Sequence, residues 1–248
     1  MGLLEDKVAV VYGAGGAIGG AVARAFAGEG ARVFGTGRRG GGAVAELDAL
    51  DEQAVDEHLE SIVEQAGRVD ISFNAIGIAD TELVGVPLVE LDVERFARPV
   101  ASYVTSYFLT ARLAARRMLP NRSGVIMTVS ALPARTGTPL VGGYGPAMAA
   151  KEGLTRSLSA ELAPHGIRVV GLRPHAMPET ASIREVFDLK AASVMTWEQW
   201  QETQAGRTHR RRLMTLDELA GVAAFVASDR ASGLTGTTVN LTLGSLDD

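Results

Sequence analysis

The chain of 248 residues contains no cysteine, and this excludes disulfide bonds, thiolate metal sites and a cysteine nucleophile. Its four histidines, His58, His165, His175 and His209, are widely separated in the sequence, so we predict no metal site. No run of apolar residues is long enough to cross a membrane. The first six residues include two acids and no long apolar stretch, so we expect no secretory signal and a cytoplasmic location.

The sequence also lacks a basic stripe, and its formal net charge of −5 argues against a nucleic-acid-binding surface. One short cluster of arginines is interpreted as a solvated loop, with an anion contact as the less favoured alternative; it comprises Arg207, Arg210, Arg211 and Arg212. Hydrophobic residues make up 46% of the chain and charged residues 21%, which is typical of a globular protein.

Apolar runs of strand length alternate with longer segments of helical period, a pattern typical of a parallel sheet covered by helices. We predict an α/β fold of the Rossmann type, a doubly wound parallel sheet of about seven strands in one domain spanning residues 1–248. Strands are predicted at 7–12, 31–36, 43–47, 69–74, 124–130, 167–172 and 238–241, and helices at 17–29, 51–65, 93–119, 144–163 and 216–228. Pro99 is expected to kink the third helix or to mark its start.

Residues 176–212 interrupt this alternation and are predicted to form a lid over a substrate pocket. Met195, Trp197 and Trp200 suggest that the covered pocket is mostly apolar and binds a small molecule. Ordinary packing between helices would account for the same aromatic residues equally well.

A glycine-rich turn follows the first predicted strand and precedes the first predicted helix. Its residues are Gly13, Gly15, Ala17, Ile18 and Gly19. Glycine there allows a tight turn and lets a pyrophosphate approach the free N–H groups of the helix N-terminus. A tight turn without a ligand is the alternative, but the strand–turn–helix context favours a dinucleotide.

The end of the second predicted strand indicates which dinucleotide is bound. Sites that prefer NAD usually have an acid there, whereas this chain has Gly37 followed by Arg38 and Arg39. Two guanidinium groups suit a 2′-phosphate, so NADP(H) is favoured over NAD(H), unless these are simply surface arginines.

These segments, together with several others, resemble the short-chain dehydrogenase/reductase superfamily over essentially the whole chain. The resemblance is carried by Tyr12-Gly-Ala-Gly-Gly-Ala-Ile-Gly19, Asp48-Ala-Leu-Asp51, Asn74-Ala-Ile-Gly77, the segment 152–169 and Ala231-Ser-Gly-Leu-Thr-Gly236. It implies further cofactor contacts at Asp48, Ala49, Asn74, Ala75, Gly77, Tyr144, Pro174 and Thr180. It also implies a homotetramer or homodimer that acts on a small molecule, with no membrane partner.

The same resemblance places the family's catalytic tyrosine at Tyr144, but three other catalytic positions are changed. Met148 replaces a lysine, Ala131 replaces a serine, and Tyr103 replaces an asparagine. An unassisted phenol has a pKa of about 10, so its anion costs about 4 kcal/mol at neutral pH. The missing hydroxyl at Ala131 would typically contribute ~2–4 kcal/mol to catalysis.

Three residues could compensate for these changes. Ser130 is adjacent to Ala131, although neighbouring strand residues point to opposite sides. His175 follows the sixth predicted strand and could act as acid or base, or could be a packed residue. Lys151 lies two helical turns after Tyr144, and we expect it to be solvated or at an interface.

Two functions therefore remain open. One is an oxidoreductase with atypical catalytic residues, acting on the carbonyl/alcohol pair of a small, mostly apolar substrate. The other is a fold relative that has lost redox chemistry and serves as a cofactor-binding regulator or scaffold, or as a non-redox enzyme.

Overall fold

A computed structural model describes residues 2–78 and 84–247 of the chain. One parallel sheet of seven strands has the order β3-β2-β1-β4-β5-β6-β7. The strands are Val8–Tyr12 (β1), Arg32–Gly37 (β2), Val44–Glu46 (β3), Ile71–Asn74 (β4), Gly124–Val129 (β5), Ile167–Pro174 (β6) and Thr237–Leu241 (β7). The order reverses between β1 and β4, so the predicted doubly wound sheet is confirmed.

Helices cover both faces of this sheet. They are Ala17–Gly28 (α1), Glu52–Ala66 (α2), Val93–Met118 (α3), Tyr144–Leu162 (α4), Ala181–Lys190 (α5), Trp197–Gly206 (α6) and Leu216–Ala227 (α7). One core contains residues of α1 and α7, and the other contains residues of α2, α3 and α4. The strands between them are buried on both sides, which explains their nearly continuous runs of apolar residues. None of the helices in the described residues is long and apolar enough to cross a membrane.

Local sequence signals explain where the long helices begin and end. Asp51 caps α2 by accepting a hydrogen bond from the Ala54 N–H at 3.1 Å, and α2 ends at Gly67 with a φ of 78°. Asp92 caps α3 in the same way, and Pro99 lies inside that helix. Pro99 therefore does not mark the start of α3.

The segment 176–212 contains α5 and α6. A capping box of Thr196 and Gln199 starts α6. Phe187 packs edge-on against Trp197 and Trp200, whose own rings are stacked with centroids 5.2 Å apart. These aromatic contacts join α5 to α6 in a small core separate from the two main ones.

A buried ion pair connects α4 to the centre of the sheet. Arg173 donates two hydrogen bonds to the Glu152 carboxylate, from Nε at 2.8 Å and from Nη2 at 3.0 Å. Arg173 is only 2% exposed and Glu152 only 3%. The Ser130 hydroxyl donates to the same carboxylate at 2.7 Å. Glu152 therefore ties α4 to the ends of both β5 and β6.

We expect Glu152→Gln to lower the free energy of unfolding by about 3 kcal/mol, because the neutral amide leaves the buried guanidinium of Arg173 without its carboxylate. Urea denaturation measures this loss. Glu161→Gln is the matched control, since Glu161 is exposed on the same helix. Equal stability of the two variants would show that the buried pair does not hold α4 in place.

Candidate active site

The turn between β1 and α1 has two positions at which only glycine fits. We call this turn, residues 13–19, the glycine cradle. Gly13 has a φ of +82°, and a Cβ there would lie 2.6 Å from the carbonyl oxygen of Ala75. A Cβ at Gly19 would lie 2.2 Å from the carbonyl oxygen of Gly13. The N–H groups of Gly13 and Ala14 both donate to the carbonyl of Thr36 at 2.8 Å, which joins the turn to β2. Gly15, by contrast, has open space around it.

The N-terminus of α1 suits an anion. Gly16 precedes the helix without a side-chain cap, and the first turn, which includes Ala17 and Ile18, contains no acid. Uncapped N–H groups and the helix dipole attract a phosphate at such a point. The cradle and the uncapped helix together fit the pyrophosphate of a dinucleotide.

The end of β2 lies beside this turn. A Cβ at Gly37 would be 3.8 Å from the backbone nitrogen of Gly15, in ordinary contact, so the position has room for a side chain and carries none. Arg38 and Arg39 follow on the exposed surface. The two residues that directly follow Gly37 are therefore cationic, and Glu46 is the acid beside Gly37 on the neighbouring strand β3.

The other expected cofactor residues lie at the same edge of the sheet. Asp48 is exposed and accepts a hydrogen bond from the Leu50 N–H at 3.0 Å, and Ala49 beside it is buried. Asn74 is buried and donates to Thr110 of α3 at 3.1 Å, while its side-chain oxygen has no partner among the described residues. An unpaired buried amide oxygen is costly and is a feature of sites that receive a ligand or water.

A cavity of about 310 Å³ opens next to the turn, at the carboxyl ends of β4, β5 and β6. Most of the residues that line it are apolar. It brings together eight of the residues expected from the sequence: Ile18, Ala75, Gly77, Ser130, Tyr144, Pro174, His175 and Thr180. Such an apolar cavity beside a nucleotide cradle is typical of an active site.

The four positions at which the resemblance predicts catalytic side chains lie together on one wall of this cavity. Tyr103, Ala131, Tyr144 and Met148 all line it and pack in a single cluster. The rings of Tyr103 and Tyr144 meet edge to face with centroids 5.7 Å apart. The Tyr103 hydroxyl accepts a hydrogen bond from the Ile78 N–H at 3.3 Å. Met148 is 2% exposed and places a thioether where a cation would be expected.

Ser130 lines the cavity, but its hydroxyl points to the buried Glu152 carboxylate described above. To act on a substrate, this hydroxyl would have to leave the strong bond that it donates to Glu152. A catalytic role for Ser130 stays a prediction.

His175 is a buried polar residue of the cavity wall, as are Ser130 and Thr180. It is 5% exposed, and its Nδ1 has no hydrogen-bond partner in the described part of the chain. Burial lowers the pKa of His175, and the nearby positive charge of Arg207 lowers it further. The imidazole is therefore held neutral, able to donate or accept one hydrogen bond per ring nitrogen.

Lys151 is buried, so the expectation of a solvated or interface lysine is wrong. Its side chain is 1% exposed, and its ammonium donates to the Val129 carbonyl at 2.7 Å. The same nitrogen lies 5.8 Å from the ring centroids of both Tyr103 and Tyr107. Burial lowers the pKa of Lys151 from 10.5 to about 7. The seven-residue spacing from Tyr144 was the available signal, because it returns the side chain to the sheet-facing side of α4.

The lid covers the cavity with residues other than those expected. Met195, Trp197 and Trp200 join the lid helices to each other and are absent from the described cavity wall. Ile183 and Val186 of α5 line the cavity instead.

The arginine cluster divides into separate roles. Arg210 and Arg211 are exposed, as a solvated loop predicts, and Arg212 pairs with Glu218 at 2.7 Å. Arg207 is exposed as well, but it also lines the cavity. No feature of the sequence distinguishes Arg207 from the other three arginines.

Residues 13–245 match a family model described as enoyl-(acyl carrier protein) reductase. The chain is 34% identical to the uncharacterized oxidoreductase YxbG of Bacillus subtilis, covering 95% of this chain and 89% of that protein. It is 31% identical to the 3-oxoacyl-[acyl-carrier-protein] reductase FabG of Escherichia coli, covering 97% of both chains. The crystal structure of NAD+-bound xylitol dehydrogenase superposes with a TM-score of 0.87 at 26% identity, covering 97% of this chain and 99% of the other.

The buried lysine makes stability depend on pH. Because the pKa of Lys151 is lowered on folding, the unfolded chain binds more protons at this residue, and stability rises with pH above neutrality. Between about pH 7 and about pH 9, we expect the wild type to gain about 2 kcal/mol more than Lys151→Met. Urea denaturation at both pH values gives the difference, and an identical gain in both proteins would contradict it.

Proposed function

The chain belongs to the short-chain dehydrogenase/reductase superfamily and is an oxidoreductase of that family; we propose that it uses NADP(H) to reduce the carbonyl group of a small, mostly apolar substrate. The observation that carries this proposal is the position of Tyr144 on the wall of an apolar cavity that adjoins the glycine cradle. A nucleotide held in the cradle and a substrate in the cavity would thus meet beside the phenol.

The preference for NADP(H) is supported by the side chains around the end of β2. An acid at position 37 would repel a 2′-phosphate, and the structure has a glycine there with room for a side chain. Arg38 and Arg39 supply two guanidinium groups next to it. Guanidinium groups bind phosphate through paired, charge-assisted hydrogen bonds.

Several residues would hold the cofactor. Gly13 and Gly19 leave space for the pyrophosphate, and the first turn of α1 would bind it through backbone N–H groups. Pro174 and Thr180 line the cavity at the end of β6, where the nicotinamide would be placed by the family resemblance. When bound, the reduced nicotinamide supplies the hydride.

The remaining chemistry is a proton transfer from Tyr144. Its hydroxyl would donate a proton to the carbonyl oxygen as negative charge develops there. Ala131 provides no second donor for that oxygen, and Met148 provides no positive charge for the resulting phenolate. We therefore propose a slower reaction than that of a family member with serine and lysine at these positions.

The same replacements favour reduction over oxidation. A phenol without help from a cation is protonated at neutral pH. In that form it can donate a proton to a carbonyl oxygen, but it cannot accept one from an alcohol. The loss of redox chemistry considered in the sequence analysis is not favoured by the matches to named oxidoreductases.

Fluorescence titration of the purified protein with NADPH and NADH tests the cofactor. We expect NADPH to bind at least tenfold more tightly, and Gly37→Asp to weaken NADPH far more than NADH, because the new carboxylate repels the 2′-phosphate. Gly41→Asp is the matched control, since Gly41 lies in the same loop with open space around it. Failure of both nucleotides to bind at millimolar concentration would overturn the proposed function.

Activity of two variants tests the chemistry. With NADPH and a panel of aldehydes and ketones, Tyr144→Phe should abolish most of the carbonyl reduction. Ala131→Ser should raise kcat by about tenfold or more, because it restores a donor to the developing oxyanion. Ala134→Ser is the control, because Ala134 packs against the same cluster without lining the cavity. Unchanged activity in both Tyr144→Phe and Ala131→Ser would show that this wall is not the reaction site.

A further inference from the structure

Among the described residues that line the cavity, the charged ones are all basic. Lys190 and Arg207 line it, together with the titratable His175, and the described lining residues include no aspartate or glutamate. These three come from different elements: Lys190 ends α5, Arg207 follows α6, and His175 follows β6. The mostly apolar wall is therefore interrupted by one group of basic side chains.

The partners of these side chains leave most of their donors available. Lys190 donates to the carbonyl of Pro139 at 2.7 Å, which joins α5 to the loop before α4. The described contact of Arg207 is a long one to the side-chain oxygen of Gln204, at 3.5 Å. Neither is paired with a carboxylate in the described residues, whereas Arg212 nearby pairs with Glu218.

His175 shows that this group is part of the cavity and not only of the surface. It is 5% exposed, its Nδ1 lacks a partner among the described residues, and the positive charge of Arg207 reaches its imidazole. A buried polar atom without a partner is costly unless a ligand completes it. A negatively charged group that accepts hydrogen bonds would satisfy both residues, by pairing with the Arg207 guanidinium and accepting from the protonated Nδ1 tautomer of His175.

We infer that the cavity recognises a carbonyl compound whose apolar body carries an anionic group, a carboxylate or a phosphate, which Arg207 binds with support from His175 and Lys190. This inference rests on the proposed function for the reacting carbonyl, but the recognition of the anion depends on Arg207, Lys190 and His175 and not on Tyr144. The apolar side chains of Ile183 and Val186 contact the body of the substrate. Arg207, which follows α6, already lines the cavity and needs no rearrangement of that helix to meet the anion.

Calorimetry with three eight-carbon probes tests the inference in the full chain saturated with NADPH. The probes are octanoate, octyl phosphate and 1-octanol, which share an apolar tail and differ in charge. We expect at least one of the two anions to bind tenfold or more tightly than 1-octanol. Tighter binding of octanoate assigns a carboxylate, and tighter binding of octyl phosphate assigns a phosphate. Equal affinity for all three, or no binding of either anion, would overturn the inference.

Arg207→Gln should lower the affinity for the preferred anion about tenfold and leave the affinities for 1-octanol and NADPH unchanged. Arg210→Gln is the matched control, because Arg210 is an exposed arginine of the same loop outside the cavity wall. Weaker NADPH binding in Arg207→Gln, with anion binding unchanged, would assign this arginine to the cofactor and overturn the inference.

The two proposals fail in different ways. Without NADPH, the same titrations measure the anion site by itself, so an anion preference in a protein that binds neither NADPH nor NADH supports the inference and overturns only the proposed function. Tight NADPH binding with no preference among the three probes supports the proposed function and overturns only the inference.

Discussion

The carboxylate of Glu152 fixes the geometry of the cavity. It accepts from Arg173 near the end of β6 and from Ser130 at the end of β5, and it belongs to α4. Tyr144 and Met148 belong to α4, Ala131 follows β5, and His175 follows β6. Replacing one partner of such a buried pair is expensive, whereas the intact pair contributes little net stability. The pair of Glu152 and Arg173 acts here through geometry, because it sets the position of α4 against the sheet.

Two basic side chains lie near the wall formed by Tyr103, Ala131, Tyr144 and Met148, and neither is at position 148, where the resemblance predicts a lysine. Lys151 is directed behind Tyr103 and Tyr107 to the Val129 carbonyl, and Arg173 is held by Glu152. Contact with the tyrosine rings favours the ammonium form of Lys151, but burial outweighs that attraction and lowers its pKa to about 7. Lys151 and Arg173 therefore make structural contacts, and Met148 keeps the cavity wall apolar.

The sequence predicted the fold well because the alternation of strands and helices is a local property. Each predicted strand and each of the five predicted helices is present, with ends shifted by at most a few residues. The glycine cradle was also recognisable, because it is a glycine-rich turn between a strand and a helix that are consecutive in the sequence. The side-chain partners were not recognisable. The bond from Ser130 to Glu152, the burial of Lys151 and the place of Arg207 in the cavity all depend on how distant segments meet, and spacing along one element does not determine this.

The arrangement separates recognition from chemistry. Under the proposed function, two of the positions expected to carry the chemistry are the apolar Ala131 and Met148, whereas segment 176–212 places the charged side chains of Lys190 and Arg207 in the cavity wall. Such a site gains little rate from polarising the carbonyl and more from holding the substrate in its reactive orientation. Binding energy from the anionic end, remote from the reacting carbon, can be used to align the carbonyl with Tyr144. Selectivity would then come from the lid, and the weak catalytic wall would be tolerated because a well-aligned substrate needs less help from it.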